Sequence, residues 1–183
     1  MYNGAMIEPQ DKRDTRLENS TPLEIIETLI LSIDNFSNRQ IRAAIEAGAF
    51  DLAFIGIHSA AVTIGTGLFT NSSLTAFTRF LREFIDTDEQ GYNFSEIAKE
   101  LHGWRQVLVH RWLSERGYEF GFDMVQQEGW RKVDGVVLLN PRRFHEAFNQ
   151  AFAAGGKIWQ WQTILSDDEK QAAKVRLLAN YHR

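Results

Sequence analysis

The chain has 183 residues, of which 44% are hydrophobic and 24% are charged, so it fits one soluble globular domain and excludes wholesale disorder. It has no cysteine, which excludes disulfides, zinc–thiolate sites, iron–sulfur clusters and thiol catalysis. Its longest apolar run is shorter than the roughly 20 residues that span a bilayer, and no secretory signal is recognisable. We therefore expect a cytoplasmic protein without a membrane segment.

The charge is unevenly distributed along the chain. The net charge of −4 combines −7 over residues 1–98, +2 over residues 99–145 and +1 over residues 146–183. A protein that binds nucleic acid over its whole surface is usually basic, so this balance does not indicate strong non-specific binding. A local basic site within 99–145 stays open, and random variation of surface charge is the alternative.

Helix signals dominate the first hundred residues. Residues 1–20 are polar and predict a flexible tail, and residues 21–183 predict a single domain. Thr21 and Pro22 begin a helix that reaches about residue 46, with a weak point near residues 35–38, and Gly48 ends it. Residues 49–69 are almost wholly apolar and predict a helix that is buried on all sides. Asn71 and Ser72 begin a third helix.

The second half mixes strand and helix signals. A capping-box pattern at residues 93–96 begins a fourth helix that reaches Gly117. Residues 118–139 predict a β-hairpin with its turn at residues 127–129, and Asp134 with Gly135 adds a further tight turn or a bulge. Asn140 and Pro141 begin a helix that ends at residues 155–156, and Ser166 begins a terminal helix. Residues 157–165 stay unassigned, because weak alternation competes with helix.

These elements predict a mainly α fold. We expect an antiparallel helical bundle (core 21–117) with an inserted β-hairpin (118–139) and a C-terminal helical extension (140–183).

Several common chemistries lack their motifs. The chain contains no phosphate-binding loop of the Walker type, no dinucleotide fingerprint after a strand, no HExxH pair and no GxSxG elbow. His102 and His110 are eight residues apart, about 80° out of alignment on a helix, so they do not predict a metal pair. We therefore predict no metal site and no cofactor.

The fourth predicted helix carries the most informative pair, Arg105 and His110. At 100° per residue, Arg105 falls in the middle of an apolar arc, whereas His110 falls on the polar arc beside Gln106. The apolar arc consists of Ile97, Leu101, Trp104, Leu108, Val109, Trp112 and Leu113. A guanidinium in apolar surroundings needs a carboxylate or phosphate partner. One interpretation is a structural salt bridge from Arg105 to Asp51 or Glu46, and the other is a phosphate ligand.

The segment from Arg105 to His110 has the spacing R-x4-H and resembles the signature of the HEPN superfamily (higher eukaryotes and prokaryotes nucleotide-binding). The sequence Arg-Gln-Val-Leu-Val-His, followed by Arg111 and Trp112, is similar to the subgroup with R-N-x-L-V-H-x-Y, many of them toxins paired with nucleotidyltransferase antitoxins. The resemblance covers roughly residues 21–117 and implies a helical domain that binds RNA.

The resemblance also implies roles for these residues. Active members of the family cut RNA without a metal, in a cleft composed by two protomers. By resemblance, His110 would act here as general acid or base, and Arg105 would stabilise the phosphate charge. Gln106 and Trp112 would support the site, but both depart from the pattern. Gln106 cannot titrate, and Trp112 has no hydroxyl, so nucleotidyl transfer to that residue is chemically impossible.

Five other basic residues are weaker candidates for nucleic-acid binding: Arg111, Arg131, Lys132, Arg142 and Arg143. A solvated strand edge is the alternative for Arg131 and Lys132. Arg142 and Arg143 lie in the first turn of a helix, where the dipole disfavours cations, which favours an outside anion or a carboxylate partner. His58 is interpreted as a hydrogen-bonded core histidine.

Two functional hypotheses remain from the sequence. The first is a HEPN-like RNA-binding protein of toxin or defence type, with metal-independent endoribonuclease activity and a protein antitoxin as partner. The second is a non-catalytic helical dimerisation or adaptor module. We also expect a homodimer with the fourth helix near the interface, because one R-x4-H unit supplies only one Arg and one His, whereas acid–base cleavage needs two proton transfers.

Overall fold

The computed structural model describes residues 17–87, 92–111 and 120–181, apart from the side chains of residues 110, 111, 120 and 181. Residues 1–16, Trp112 and the predicted end of the fourth helix lie outside the described residues. The described part contains eight α-helices and three strands: α1 (Pro22–Ser32), α2 (Arg39–Glu46), α3 (Phe50–Leu68), α4 (Ser73–Phe80), α5 (Ala98–Arg111), β1 (Phe120–Phe122), β2 (Trp130–Val133), β3 (Val136–Leu139), α6 (Pro141–Phe152), α7 (Trp161–Ile164) and α8 (Asp167–Tyr181). The prediction of a mainly α protein is confirmed.

Helix α3 lies at the centre of the core. It packs against α1, α2, α4, α5, α6 and α8, so apolar side chains around most of its circumference are buried. By length and composition α3 is also apolar enough to cross a membrane, but more than half of its apolar window is buried against other helices. This burial shows that α3 is the central helix of the core.

The first predicted helix is interrupted where the sequence predicts a weak point. Thr21 and Glu24 form a capping box, in which the Glu24 N–H donates to Thr21 Oγ1 and the Thr21 N–H donates to Glu24 Oε2. A π-helical segment, Ile33–Asn38, separates α1 from α2. Gly48, with φ of +73°, ends α2 as predicted.

The predicted hairpin is wrong in its pairing. Strands β2 and β3 pair antiparallel through a two-residue turn at Asp134 and Gly135, whose φ angles are +51° and +85°. Strand β1 pairs parallel with the other edge of β3, so the sheet order is β1-β3-β2. Residues 130–139, predicted as the second strand of the hairpin, contain two short strands instead. Asp134 and Gly135 separate them, because Asp-Gly adopts the positive φ angles that a tight hairpin turn requires.

The capping box predicted at residues 93–96 is also wrong. Asn93 makes no capping hydrogen bond; its Oδ1 accepts instead from Trp130 Nε1 on β2, at 2.9 Å. A 3-10 turn, Phe94–Ile97, leads into α5, and the carboxylate of Asp86 accepts from the Ser95 N–H. Helix α5 is thereby linked to the sheet and to the preceding π-helical segment, Leu81–Ile85.

The C-terminal elements begin where their caps predict. Asn140 Oδ1 accepts from the N–H groups of Arg142 and Arg143, and Ser166 forms a capping box with Glu169. The unassigned segment 157–165 is helical, as a 3-10 turn (Lys157–Gln160) followed by α7.

Helix α8 packs against α1 and α3. Arg176 donates to the carbonyls of Gly67 and Leu68 and so satisfies the C-terminal end of α3. Lys174 donates to the carbonyls of Glu18 and Ser20, so the end of the predicted flexible tail is bound to α8.

Candidate functional site

Arg105 lies at the edge of the buried face of α5 rather than in its middle. The residues of α5 that are buried include Ala98, Leu101, Trp104 and Val107. Val107, which the predicted apolar arc excludes, is 6% exposed, whereas Val109, which the arc includes, is 43% exposed. The buried face is therefore rotated away from Arg105, because the core lies on the Leu101 and Trp104 side of the helix.

The guanidinium of Arg105 has no carboxylate partner among the described residues. Its Nη1 donates to Gln106 Oε1 at a weak 3.4 Å, and its buried Nε has no hydrogen-bond partner within the described part of the chain. Of the two interpretations of Arg105, the salt bridge to Asp51 or Glu46 is therefore wrong. A partly buried cation without an ion pair retains its capacity to bind an anion.

Two histidines lie beside Arg105. His58 on α3 is 3% exposed, and its Nε2 lies 3.0 Å from Nδ1 of His102 on α5. The His58 ring also packs against the Phe77 ring, with centroids 4.4 Å apart. The interpretation of His58 as a hydrogen-bonded core histidine is confirmed.

Both imidazoles are held in their neutral form. Burial, together with the neighbouring His102 and Arg105, lowers the pKa of His58 to about 3. Burial and the positive charge of Arg105 also lower the pKa of His102. At neutral pH the fixed positive charge among these three side chains is therefore that of Arg105.

These groups open onto one cleft of about 320 Å³ between α3, α4 and α5. Hydroxyl, imidazole, amide and guanidinium groups line it: His58, Ser59, Val62, Thr63, Ser73, His102, Arg105 and Gln106. Hydroxyls and a guanidinium donate readily to phosphate or sulfate oxygens. Among the described residues the lining contains no carboxylate, so this part of the cleft is suited to an anion.

His110 belongs to the backbone of α5, but its side chain lies outside the described residues. On a regular helix the five-residue step from Arg105 places His110 about 140° away around the axis. Gln106 lies in the cleft with Arg105, and Trp112 lies outside the described residues.

Three of the candidate basic residues outside α5 already lie close to carboxylates of the same chain. Arg131 pairs with Asp123, Lys132 lies 3.8 Å from Glu100, and Arg143 lies 2.7 Å from Glu146. The carboxylate partner predicted as one alternative for Arg143 is therefore present.

Arg142 lies over the ring of Phe50, with its guanidinium carbon 5.7 Å from the centroid. The side chain of Arg111 lies outside the described residues. With Arg131, Lys132 and Arg143 paired to carboxylates, the hairpin and the start of α6 offer less anion-binding capacity than the charge pattern indicates.

His102 belongs to the site, although its sequence pattern does not indicate this. Helical spacing places it one turn before Arg105, but nothing in the sequence indicates that His58, 44 residues earlier, contacts it. The described residues contain no group of three or more His, Asp or Glu side chains with the geometry of a metal site.

The fold and site define a mainly helical domain with a polar cleft beside its core helix. The chain matches no protein-family model, no curated protein and no solved structure.

Proposed function

We propose that this chain is a HEPN-like RNA-binding protein that cleaves RNA without a metal ion, in the cytoplasm. The observation that carries the proposal is the guanidinium of Arg105, which lines a cleft of hydroxyl and imidazole groups and has no ion pair with a described carboxylate. A phosphodiester presents the anionic oxygens that such a cleft accommodates. The antiparallel bundle over residues 21–117 is part of this proposal.

The proposed reaction is transesterification within the RNA strand. The 2′-hydroxyl attacks the adjacent phosphorus and loses its proton to a base, the bond to the 5′-oxygen breaks, and that oxygen takes a proton from an acid. The products are a 2′,3′-cyclic phosphate and a 5′-hydroxyl, and no water is consumed. His110 transfers a proton, and Arg105 stabilises the charge that develops on the phosphate oxygens.

A homodimer completes this chemistry. The reaction needs two proton transfers, whereas one chain places Arg105 and His110 about 140° apart around α5. Val109, one turn after Arg105 on α5, is an exposed apolar residue and suits an interface. Two copies related by a two-fold axis would bring each Arg105 near the partner's His110.

RNA cleavage in the presence of EDTA tests the activity. The wild type should give 5′-hydroxyl and cyclic-phosphate ends, and His110→Ala should lose cleavage while it retains RNA binding. Arg105→Ala should weaken RNA binding about tenfold or more, which is the effect of losing a charge-assisted contact. It should also flatten the salt dependence of binding by about one phosphate contact.

Arg82→Ala is the matched control, because it removes the same charge from an exposed side chain outside the cleft. RNA binding that responds equally to Arg105→Ala and Arg82→Ala would contradict the proposed site. Equal RNA cleavage by the wild type and His110→Ala would refute the proposed ribonuclease activity.

The second candidate function is a non-catalytic dimerisation or adaptor module. It is favoured by exposed apolar side chains on neighbouring elements, since Phe36 is 71% exposed and Leu52 is 53% exposed. Leu52 also lines a groove of about 440 Å³ between the first π-helical segment, α2 and α3. An intact dimer that neither binds nor cleaves RNA at physiological salt would favour this second function.

A further inference from the structure

The His58–His102 pair is part of the cleft but has no role in the reaction described above. His58 is enclosed by aromatic neighbours, since its ring packs against Phe77 and lies 6.3 Å from Phe54 between centroids. Its Nε2 faces His102, while its Nδ1 is buried and has no hydrogen-bond partner among the described residues. His102 is half buried and lines the cleft with Arg105.

A hydrogen bond between two neutral imidazoles leaves two choices for the proton. In one, His102 Nδ1–H donates to His58 Nε2, and the proton on the other nitrogen of His58 then lies buried without an acceptor. In the other, His58 Nε2–H donates to His102 Nδ1, and His58 Nδ1 is a bare acceptor. Buried N–H groups without an acceptor are rarer than under-satisfied acceptors, which favours the second choice.

The second choice also determines what His102 presents to the cleft. If Nδ1 of His102 accepts from His58, the proton of the neutral His102 ring is on Nε2. Nε2 makes no hydrogen bond to a described residue, and it lies across the ring from the nitrogen that faces His58. Phosphate diester oxygens only accept hydrogen bonds, so a ring nitrogen that contacts them must carry a proton.

We propose that His102 is a phosphate-binding residue and that His58 is its positioning residue, which holds His102 in the tautomer whose Nε2–H donates into the cleft beside Arg105. The inference rests on the proposed function, because it takes an RNA phosphate as the ligand of this cleft. It adds a second hydrogen-bond donor beside the Arg105 guanidinium, and it assigns a positioning role to the buried His58 of α3.

The tautomer can be measured directly by long-range ¹H–¹⁵N NMR spectra of the histidine rings in the wild-type protein at pH 7. We expect a bare Nδ1 and a protonated Nε2 on His102, without ligand and with a 2′-O-methyl RNA that cannot be cleaved. A protonated Nδ1 on His102 in either state would overturn the inference. This measurement needs no substitution, so it does not depend on any variant folding.

RNA affinity tests the contact itself. His102→Ala should weaken binding of the 2′-O-methyl RNA about tenfold, whereas His102→Gln, which keeps an N–H donor, should retain most of the affinity. His58→Gln keeps a donor toward His102 and should also retain affinity, whereas His58→Phe should lower it and mix the two tautomers of His102. His145→Gln, at a buried histidine that does not line the cleft, is the matched control.

The outcomes separate this inference from the proposed function. If Arg105→Ala weakens RNA binding but His102→Ala does not, the cleft binds RNA and the role of His102 is refuted. If neither substitution changes RNA binding, the proposed function fails as well, and the role of His102 in phosphate binding fails with it.

Discussion

Acid should destabilise this protein through His58. The pKa of His58 is about 3 in the folded chain and about 6.5 in the unfolded chain, so between these values the unfolded chain binds more protons. Its contribution to the free energy of unfolding is therefore present above pH 6.5 and is lost as the pH falls. The loss is about 2 kcal/mol at pH 5 and about 4 kcal/mol at pH 3, and it approaches about 5 kcal/mol below pH 3.

The comparison of wild type with His58→Gln isolates this effect. Glutamine keeps an amide donor toward His102 but does not titrate in this range, and the causes that lower the pKa of His102 do not include His58. Between pH 7 and pH 5 the wild type should lose about 2 kcal/mol more of its unfolding free energy than the variant does. With a urea dependence of about 2 kcal/mol per molar, the difference is about 1 M in the unfolding midpoint.

Urea unfolding followed by tryptophan fluorescence at pH 7 and pH 5 provides the measurement. The absolute stability of His58→Gln does not enter the argument, because each protein is compared with itself at the two pH values. If wild type and variant lose the same free energy between pH 7 and pH 5, His58 titrates as an exposed histidine does, and the reasoning about its burial is refuted.

The remaining predictions concern packing, capping and assembly. Gly65→Ala should destabilise the fold by about 1–3 kcal/mol, because a Cβ there would lie 2.5 Å from the carbonyl oxygen of Ala76. Gly103→Ala should instead stabilise α5 by up to about 1 kcal/mol, because a Cβ there meets nothing within 4 Å. Urea midpoints equal to that of the wild type would contradict both predictions. Asn140→Ala should cost about 1–2 kcal/mol, because Asn140 caps α6 and donates to the Gln126 carbonyl, and Asn140→Asp should recover the part due to the cap. Light scattering should give twice the chain mass of 21.0 kDa, and a monomer well above micromolar concentration would refute the composite site.

Helix ends were predictable because their signals are local. The caps at Thr21, Asn140 and Ser166 involve side chains and backbone groups within three residues of each other, so the sequence contains both partners. Asn93 has the same local pattern, yet its side chain accepts from Trp130, 37 residues later. A distant donor replaced the local bond, and no pattern around residue 93 indicates that.

In the strand region, too, the sequence pattern predicted that strands form but not how they pair. Alternating residues and the Asp134–Gly135 turn predicted strands, and the two-residue turn follows from the positive φ angles that Asp-Gly tolerates. The parallel partner of β1 was not predictable, since β1 and β3 are separated by the whole of β2 and meet only when the chain folds back. A two-residue alternation in the sequence indicates that a segment is extended, but it does not indicate which segment it pairs with.

For the candidate site, the sequence by itself determined that the nearly all-apolar helix carrying His58 belongs to the core. Only the tertiary structure decided that no described carboxylate reaches Arg105, and that His58 and His102 face each other across α3 and α5. The physical reason is that a helical repeat specifies which face of one helix is apolar. The rotation of that helix against its neighbours depends on how all of the packed side chains fill the core together, as the exposed Val109 and the buried Val107 demonstrate.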